Sequence, residues 1–78
     1  MPDVLVDARG LLCPLPVLRA KKALKVVGPG GLVTVLATDP ASVRDFRAFC
    51  QQTGCELVEA QADADGVFRT IIRNRLSI

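Results

Sequence analysis

Apolar and polar positions recur along the chain with two periods, and each change of period marks an element. Residues 4–7 (Val4, Leu5, Val6, Asp7) read as a short strand, and Ala8-Arg9-Gly10 turns the chain. Over residues 14–27 the period lengthens. Val17, Ala20, Leu24 and Val27 fall on one face at helical spacing, which predicts a helix with a single buried side. Pro14 suits the first helical position, where a missing N–H is harmless. Lys25 suits the negative end of the helix dipole. Gly28-Pro29-Gly30-Gly31 stops the helix. Residues 32–38 are apolar on both faces and so predict a central strand. Asp39-Pro40 repeats the helix-start pattern, a capping carboxylate followed by proline. The second helix runs to about Gln52, with Val43, Phe46, Phe49 and Cys50 inward, and Gly54 ends it. Residues 55–62 form a third strand, and Asp63-Ala64-Asp65-Gly66 a hairpin turn. Residues 67–75 form a fourth strand, with Phe68, Thr70 and Ile72 on one face and Arg69, Ile71, Arg73 and Arg75 on the other.

The order is therefore βαβαββ. Right-handed crossovers put both helices on one face of the sheet. The fourth strand is more apolar than the third, so it belongs inside. The expected fold is a two-layer α/β (α+β) sandwich whose four-stranded mixed sheet has the order 1-2-4-3, with strand 4 antiparallel. The face without helices would carry the strand-4 arginines. The 78 residues make one domain, 1–78. Sites in such folds lie at the carboxyl ends of the parallel strands. That edge receives Cys13, Asp39 and Arg9.

Composition narrows the chemistry. Half of the residues are hydrophobic, but there are only three Phe and no Trp or Tyr, so the core must come from Val, Leu, Ile and Ala. A net charge of +2 is too small to imply nucleic-acid binding by itself. The chain has no His, which excludes a Cys–His hydrolase, a Ser–His–Asp triad within this chain and any histidine metal site. The cysteines, Cys13, Cys50 and Cys55, lack C-x-x-C spacing, which argues against a thioredoxin-like pair and a zinc knuckle. No cofactor or metal is expected. There is no basic-then-apolar leader in residues 1–6, and no apolar run nears the ~20 residues that span a bilayer. With an odd cysteine count, these features give the expectation of a cytoplasmic protein without a membrane partner.

Cys13 reads as a thiolate device. It falls at the N-cap of the first helix, where the dipole favours an anion. A cysteine there can titrate at about 7.5 or below instead of near 8.5. Pro14 and Pro16 remove two N–H groups from the first turn, leave those of Leu15 and Val17 to face the sulfur, and stiffen its presentation. The competing reading is a buried small hydrophobe, since Cys is among the most buried residue types. The position between a turn and two prolines favours the thiolate. Cys50, on the inward face of the second helix, reads as core packing. Cys55 is either packing or a free surface thiol. Arg19, Lys21, Lys22 and Lys25 crowd like charges on one helix at a few tenths of a kcal/mol each. They read as either a solvated face or a docking surface for an acidic partner, and Arg69, Arg73 and Arg75 do so more weakly. Asp7 and Arg9 are placed to pair across the turn. Asp39 reads as a helix cap rather than a proton-transfer group.

Three stretches carry a family resemblance: Asp7-Ala8-Arg9-Gly10-Leu11-Leu12-Cys13-Pro14-Leu15-Pro16, Lys21-Lys22-Ala23-Leu24, and Thr38-Asp39-Pro40. Together they resemble the TusA-like (SirA-like) sulfur carriers over essentially the whole chain. Cys-Pro-x-Pro after Asp-x-x-Gly is the most specific element. The resemblance implies the same two-layer βαβαββ sandwich and a carrier in a sulfur relay rather than a turnover enzyme. It implies that Cys13 accepts sulfane sulfur from a cysteine desulfurase or another sulfurtransferase and relays it to an acceptor protein. Asp7, Arg9, Gly10, Pro14, Pro16 and Asp39 would support the cysteine, and Arg19, Lys21, Lys22 and Lys25 would meet partners, with no direct nucleic-acid contact. Such carriers serve tRNA thiolation, molybdenum-cofactor sulfur supply and dissimilatory sulfur oxidation. The x position is Glu in some members and Leu15 here, so an acidic contact beside the sulfur is missing. The alternative is an RNA- or protein-binding regulatory module without sulfur transfer. The arginine face supports it, and the lack of aromatic stacking residues on the strands opposes it. A peroxide-sensing thiol would share the Cys13 chemistry but lacks an evident resolving cysteine.

Overall fold

The alternation in the second strand organises the molecule. Val33, Val35 and Ala37 are buried, while Leu32, Thr34 and Leu36 on the other face are only half-buried. The computed structural model describes residues 3–75. Along the chain the elements are β1 (Val4–Ala8), α1 (Leu15–Val27), β2 (Leu32–Ala37), α2 (Ser42–Thr53), β3 (Glu56–Ala62) and β4 (Phe68–Arg73). The sheet order is β1-β2-β4-β3, with β1 parallel to β2 and β4 antiparallel to both its neighbours. Order and directions are those expected from the sequence. Element ends shift slightly. β1 runs one residue further, through Ala8, and β4 stops at Arg73 instead of 75.

One core joins both helices to one face of the sheet. It contains Ala20, Ala23, Leu24 and Val27 from α1, Phe46 and Cys50 from α2, and Ala8, Val33, Val35 and Ile72 from the strands. Small alanines let α1 lie close over β1 and β2, while α2 covers β3 and β4. Phe46 is the largest fully buried side chain and fills the space that alanines elsewhere leave thin. Val43 and Phe49, expected inward, are half-buried, and Ser42 is buried instead. The turn after α1 needs glycine for space. A Cβ on Gly31 would lie 2.6 Å from the Cβ of Val27.

Asn74 closes the same end of the molecule. Its N–H donates to the Gly31 carbonyl at 2.8 Å, and its carbonyl accepts from Gly30 N–H at 2.8 Å. Its side-chain Nδ2 donates to the Leu24 carbonyl at 2.8 Å. On the face without helices, Arg69 pairs with Glu59 at 2.8 Å. Arg73 and Arg75 share Glu56 at 3.1 and 2.9 Å. The carboxylates of edge strand β3 thus meet the arginines expected on this face, which weakens its case as a phosphate-binding surface.

Candidate functional site: the thiol before helix α1

β1 and β2 are parallel, so both deliver their following loops to one edge. There the α1 entry loop is tied to the α2 entry loop by side chains. Gly10 turns the chain at φ +81°, a conformation that L side chains rarely adopt, and donates its N–H to Thr38 Oγ1 at 2.9 Å. Leu11 N–H donates to the Ala8 carbonyl at 3.2 Å. Asp39 spends both carboxylate oxygens on backbone: Oδ2 accepts from Cys13 N–H at 2.7 Å, and Oδ1 from Ala41 N–H at 3.0 Å. These charge-assisted bonds, with Arg44 nearby, hold the Asp39 carboxyl below its usual range. The N-cap of α2 is Ala41, so Asp39 is a clamp between two loops and not the helix cap expected.

Cys13 is exposed, as expected, but the helix begins later than expected. The N-cap of α1 is Pro14, and Cys13 stands one residue before it. The Cys13–Pro14 peptide is cis. Pro16 lies buried in the first turn, and Pro14 is exposed. The Leu15 N–H, expected to face the sulfur, donates instead to the Leu12 carbonyl at 2.9 Å. The sulfur has a different partner: Cys13 Sγ–H donates to Asp45 Oδ2. This bond raises the Cys13 pKa above its ordinary value. Desolvation and the charges of Asp45 and Asp39 raise it further, and among the described residues only Arg44 opposes them. The expected depression by the helix dipole is therefore overturned. Cys13 stands one residue before the N-cap, and its sulfur meets a carboxylate.

Asp7 and Arg9 pair across the turn as expected. Nε–Oδ1 and Nη2–Oδ2 are both 2.9 Å, and Arg9 N–H donates to Oδ1 at 3.2 Å. The guanidinium lowers the Asp7 pKa to about 2. The pair braces the loop and makes no hydrogen bond to Cys13. Arg19, Lys21, Lys22 and Lys25 are all exposed on α1, and none joins an ion pair among the described residues. Leu15 and Leu18 lie beside them at 45% and 51% exposure, and Leu12, in the loop before the helix, is 72% exposed. Cys50 and Cys55 are both buried, and burial pushes the Cys50 thiol up to about 11. Among the described residues no group of three or more His, Cys, Asp or Glu could hold a metal, and no helix is long and apolar enough to cross a membrane.

Sequence reasoning missed Asp45 and its neighbour Arg44. Asp45 sits in the first turn of α2, where a carboxylate suits the helix dipole on its own account. That ordinary explanation hides its second role. The available signal was the topology, which brings the start of α2 to the edge that holds Cys13.

An exposed thiol on a loop clamped by Asp39 marks this small α/β domain. The family described as sulfurtransferase TusA matches residues 4–74, and the chain belongs to that family. It is 51% identical over 71 residues to the sulfur carrier protein TusA of Allochromatium vinosum, covering 91% of this chain and 92% of that one. It is 44% identical over 73 residues to the sulfur carrier protein TusA of Pseudomonas aeruginosa, covering 94% and 91%. The crystal structure of a SirA-like protein from Desulfitobacterium hafniense superposes with a TM-score of 0.81 at 37% identity, covering 90% of this chain and 95% of that one.

Proposed function

We propose that this protein carries sulfane sulfur as a persulfide on Cys13. The observation that carries this reading is an exposed cysteine, fixed through its own backbone N–H, in a chain whose relatives are named sulfur carriers. The donor is a cysteine desulfurase or another sulfurtransferase bearing a cysteine persulfide. Cys13, as thiolate, attacks the terminal sulfur. A bond forms between Cys13 Sγ and that sulfur, the donor's S–S bond breaks, and its electron pair leaves on the donor cysteine. The same exchange, run against an acceptor cysteine, passes the sulfur on. There is no net oxidation, and the rate follows thiolate fraction and access. The exchange suits a reducing compartment, so we assign the protein to the cytoplasm. tRNA thiolation is one route the sulfur can enter from there.

In this reading α1 is the docking face. Its four cations, which join no ion pair among the described residues, share the surface with the exposed Leu15 and Leu18, on the helix that follows the cysteine. A partner with an acidic, partly apolar surface would meet all of them while reaching Cys13. Asp7, Arg9, Gly10, Pro14, Pro16 and Asp39 act by holding the loop.

The test is intact-mass analysis after incubation with a cysteine desulfurase and cysteine. The expected result is an adduct of added sulfur, abolished by Cys13→Ser and retained by Cys50→Ser and Cys55→Ser. An adduct that persists in Cys13→Ser would remove Cys13 from the role.

A further inference from the structure

A carrier thiol works as a thiolate, yet Cys13 is hydrogen-bonded to a carboxylate. That contact exists only while the sulfur holds its proton, because a thiolate and a carboxylate repel. We propose that Asp45 is a positioning residue that holds the empty carrier's Cys13 as an oriented, unreactive thiol, and that loading requires this contact to open. The inference rests on the carrier reading above and assigns Asp45 a part in it.

The surroundings of the sulfur support this. Asp45 is fixed in the first turn of α2, and its side chain is 23% exposed. Asp39, on the same entry segment, holds the Cys13 backbone. The sulfur therefore faces two carboxylates. On the α1 side its neighbours in the chain are Leu12, Pro14, Leu15 and Pro16, and the Asp7–Arg9 pair upstream is internally neutralised. Among the described residues the one cation acting on Cys13 is Arg44. Arg44 Nε lies 4.0 Å from Asp45 Oδ1, and its side chain is 82% exposed. It is thus placed to take up Asp45 when an arriving partner displaces the carboxylate from the sulfur.

The same contact sets a direction. A persulfide on Cys13 has no Sγ proton to offer Asp45. After delivery, Cys13 regains a proton and the hydrogen bond re-forms. The contact therefore favours the empty carrier over the loaded one and biases the exchange toward giving sulfur away. In the free protein it also keeps the thiol from reacting with stray electrophiles.

The test follows iodoacetamide alkylation of Cys13 against pH by mass spectrometry, which reads the free thiol and needs no sulfur transfer. Asp45→Asn keeps the size, removes the charge and supplies an amide N–H that favours thiolate. It is expected to alkylate at least about threefold faster than the parent at pH 7.5, with the profile moved to lower pH. Asp45→Glu, which restores the charge, is expected to return toward the parent. Arg44→Ala, at an exposed position safe for folding, is expected to alkylate more slowly. Circular dichroism and thermal melts establish that each variant is folded, and a merely structural role for Asp45 would lower the melting temperature without moving the profile. Coincident profiles for the parent and a folded Asp45→Asn would overturn the proposal. If Asp45→Asn does not fold, Arg44→Ala decides, and alkylation as fast as the parent or faster would overturn it. Failure of the parent to load sulfur would instead overturn the carrier reading and leave these alkylation results standing.

Discussion

At the scale of single residues, position along the chain separates three cysteines with the same side chain. Cys13 has its backbone tied by Asp39 and its sulfur in reach of solvent. Cys50 and Cys55 lie in the core, each 6% exposed. For Cys50, burial disfavours the thiolate, with Cys55 adding to the effect, and the pKa rises to about 11. The folded state therefore holds this proton more tightly than the unfolded chain, where cysteine titrates near 8.5. As pH rises from about 8.5 to about 11, the unfolded chain loses the proton first, and stability falls across that window. We expect urea midpoints of the parent to drop more steeply between pH 8.5 and 10.5 than those of Cys50→Ala, measured in the same buffers. Parallel curves would mean that Cys50 titrates alike in both states. The sequence showed Cys13 and Asp39 readily, because prolines and turn residues mark local structure. It hid the Cys13–Asp45 contact, which spans 32 residues and exists only once both helix entries share an edge. It also misjudged the direction of the Cys13 pKa, because the Asp45 hydrogen bond that raises it was not legible in the local pattern.

At the scale of elements, α1 shows how one helix serves two surfaces. Pro16, Ala20, Ala23, Leu24 and Val27 form the buried stripe. Leu15, Leu18, Lys22 and Lys25 follow one another on the exposed side at helical spacing. Like charges there cost stability without an internal partner to offset them. A partner's carboxylates would offset them and would steer the encounter. Reversing two of them, Lys22→Glu with Lys25→Glu, is expected to slow sulfur transfer roughly three- to tenfold at low salt while leaving circular dichroism unchanged. The difference should shrink as salt shortens the screening length. Equal transfer rates at low salt would make these lysines a solvated face and nothing more. The helical period made the buried stripe legible. The sequence also showed the four cations, but not that the structure would leave them unpaired while pairing Arg69, Arg73 and Arg75 with Glu59 and Glu56. Those pairs depend on cross-strand register, including a shift between Leu57 and Glu59 in β3 that local pattern does not reveal.

At the scale of the whole molecule, the sheet separates chemistry from closure. Crossover handedness and the apolar content of β4 made the strand order legible. The role of Asn74 was not, because 67–75 reads as one continuous strand and Asn74 lies just past the end of β4. There it joins the end of β4 to the end of α1, opposite the site: Leu32 of β2 pairs with Arg73, while Ala37 leads to the Asp39 clamp. Roughly 17 Å of strand lies between the two ends. A chain of 78 residues has a stability of about 4–12 kcal/mol, so the loss of one buried bond is felt. Asn74→Ala removes the donor to the Leu24 carbonyl, which then keeps the longer bond from Gly28 N–H at 3.3 Å. The expected cost is about 1–2 kcal/mol, read as a fall in melting temperature of roughly 5–15 °C. Alkylation of Cys13 in the folded variant should match the parent, because the loops that hold the sulfur are anchored at the far end of β2. A changed alkylation profile would mean that the two ends are coupled through the sheet. An unchanged melting temperature would mean that solvent replaces the lost donor at no cost.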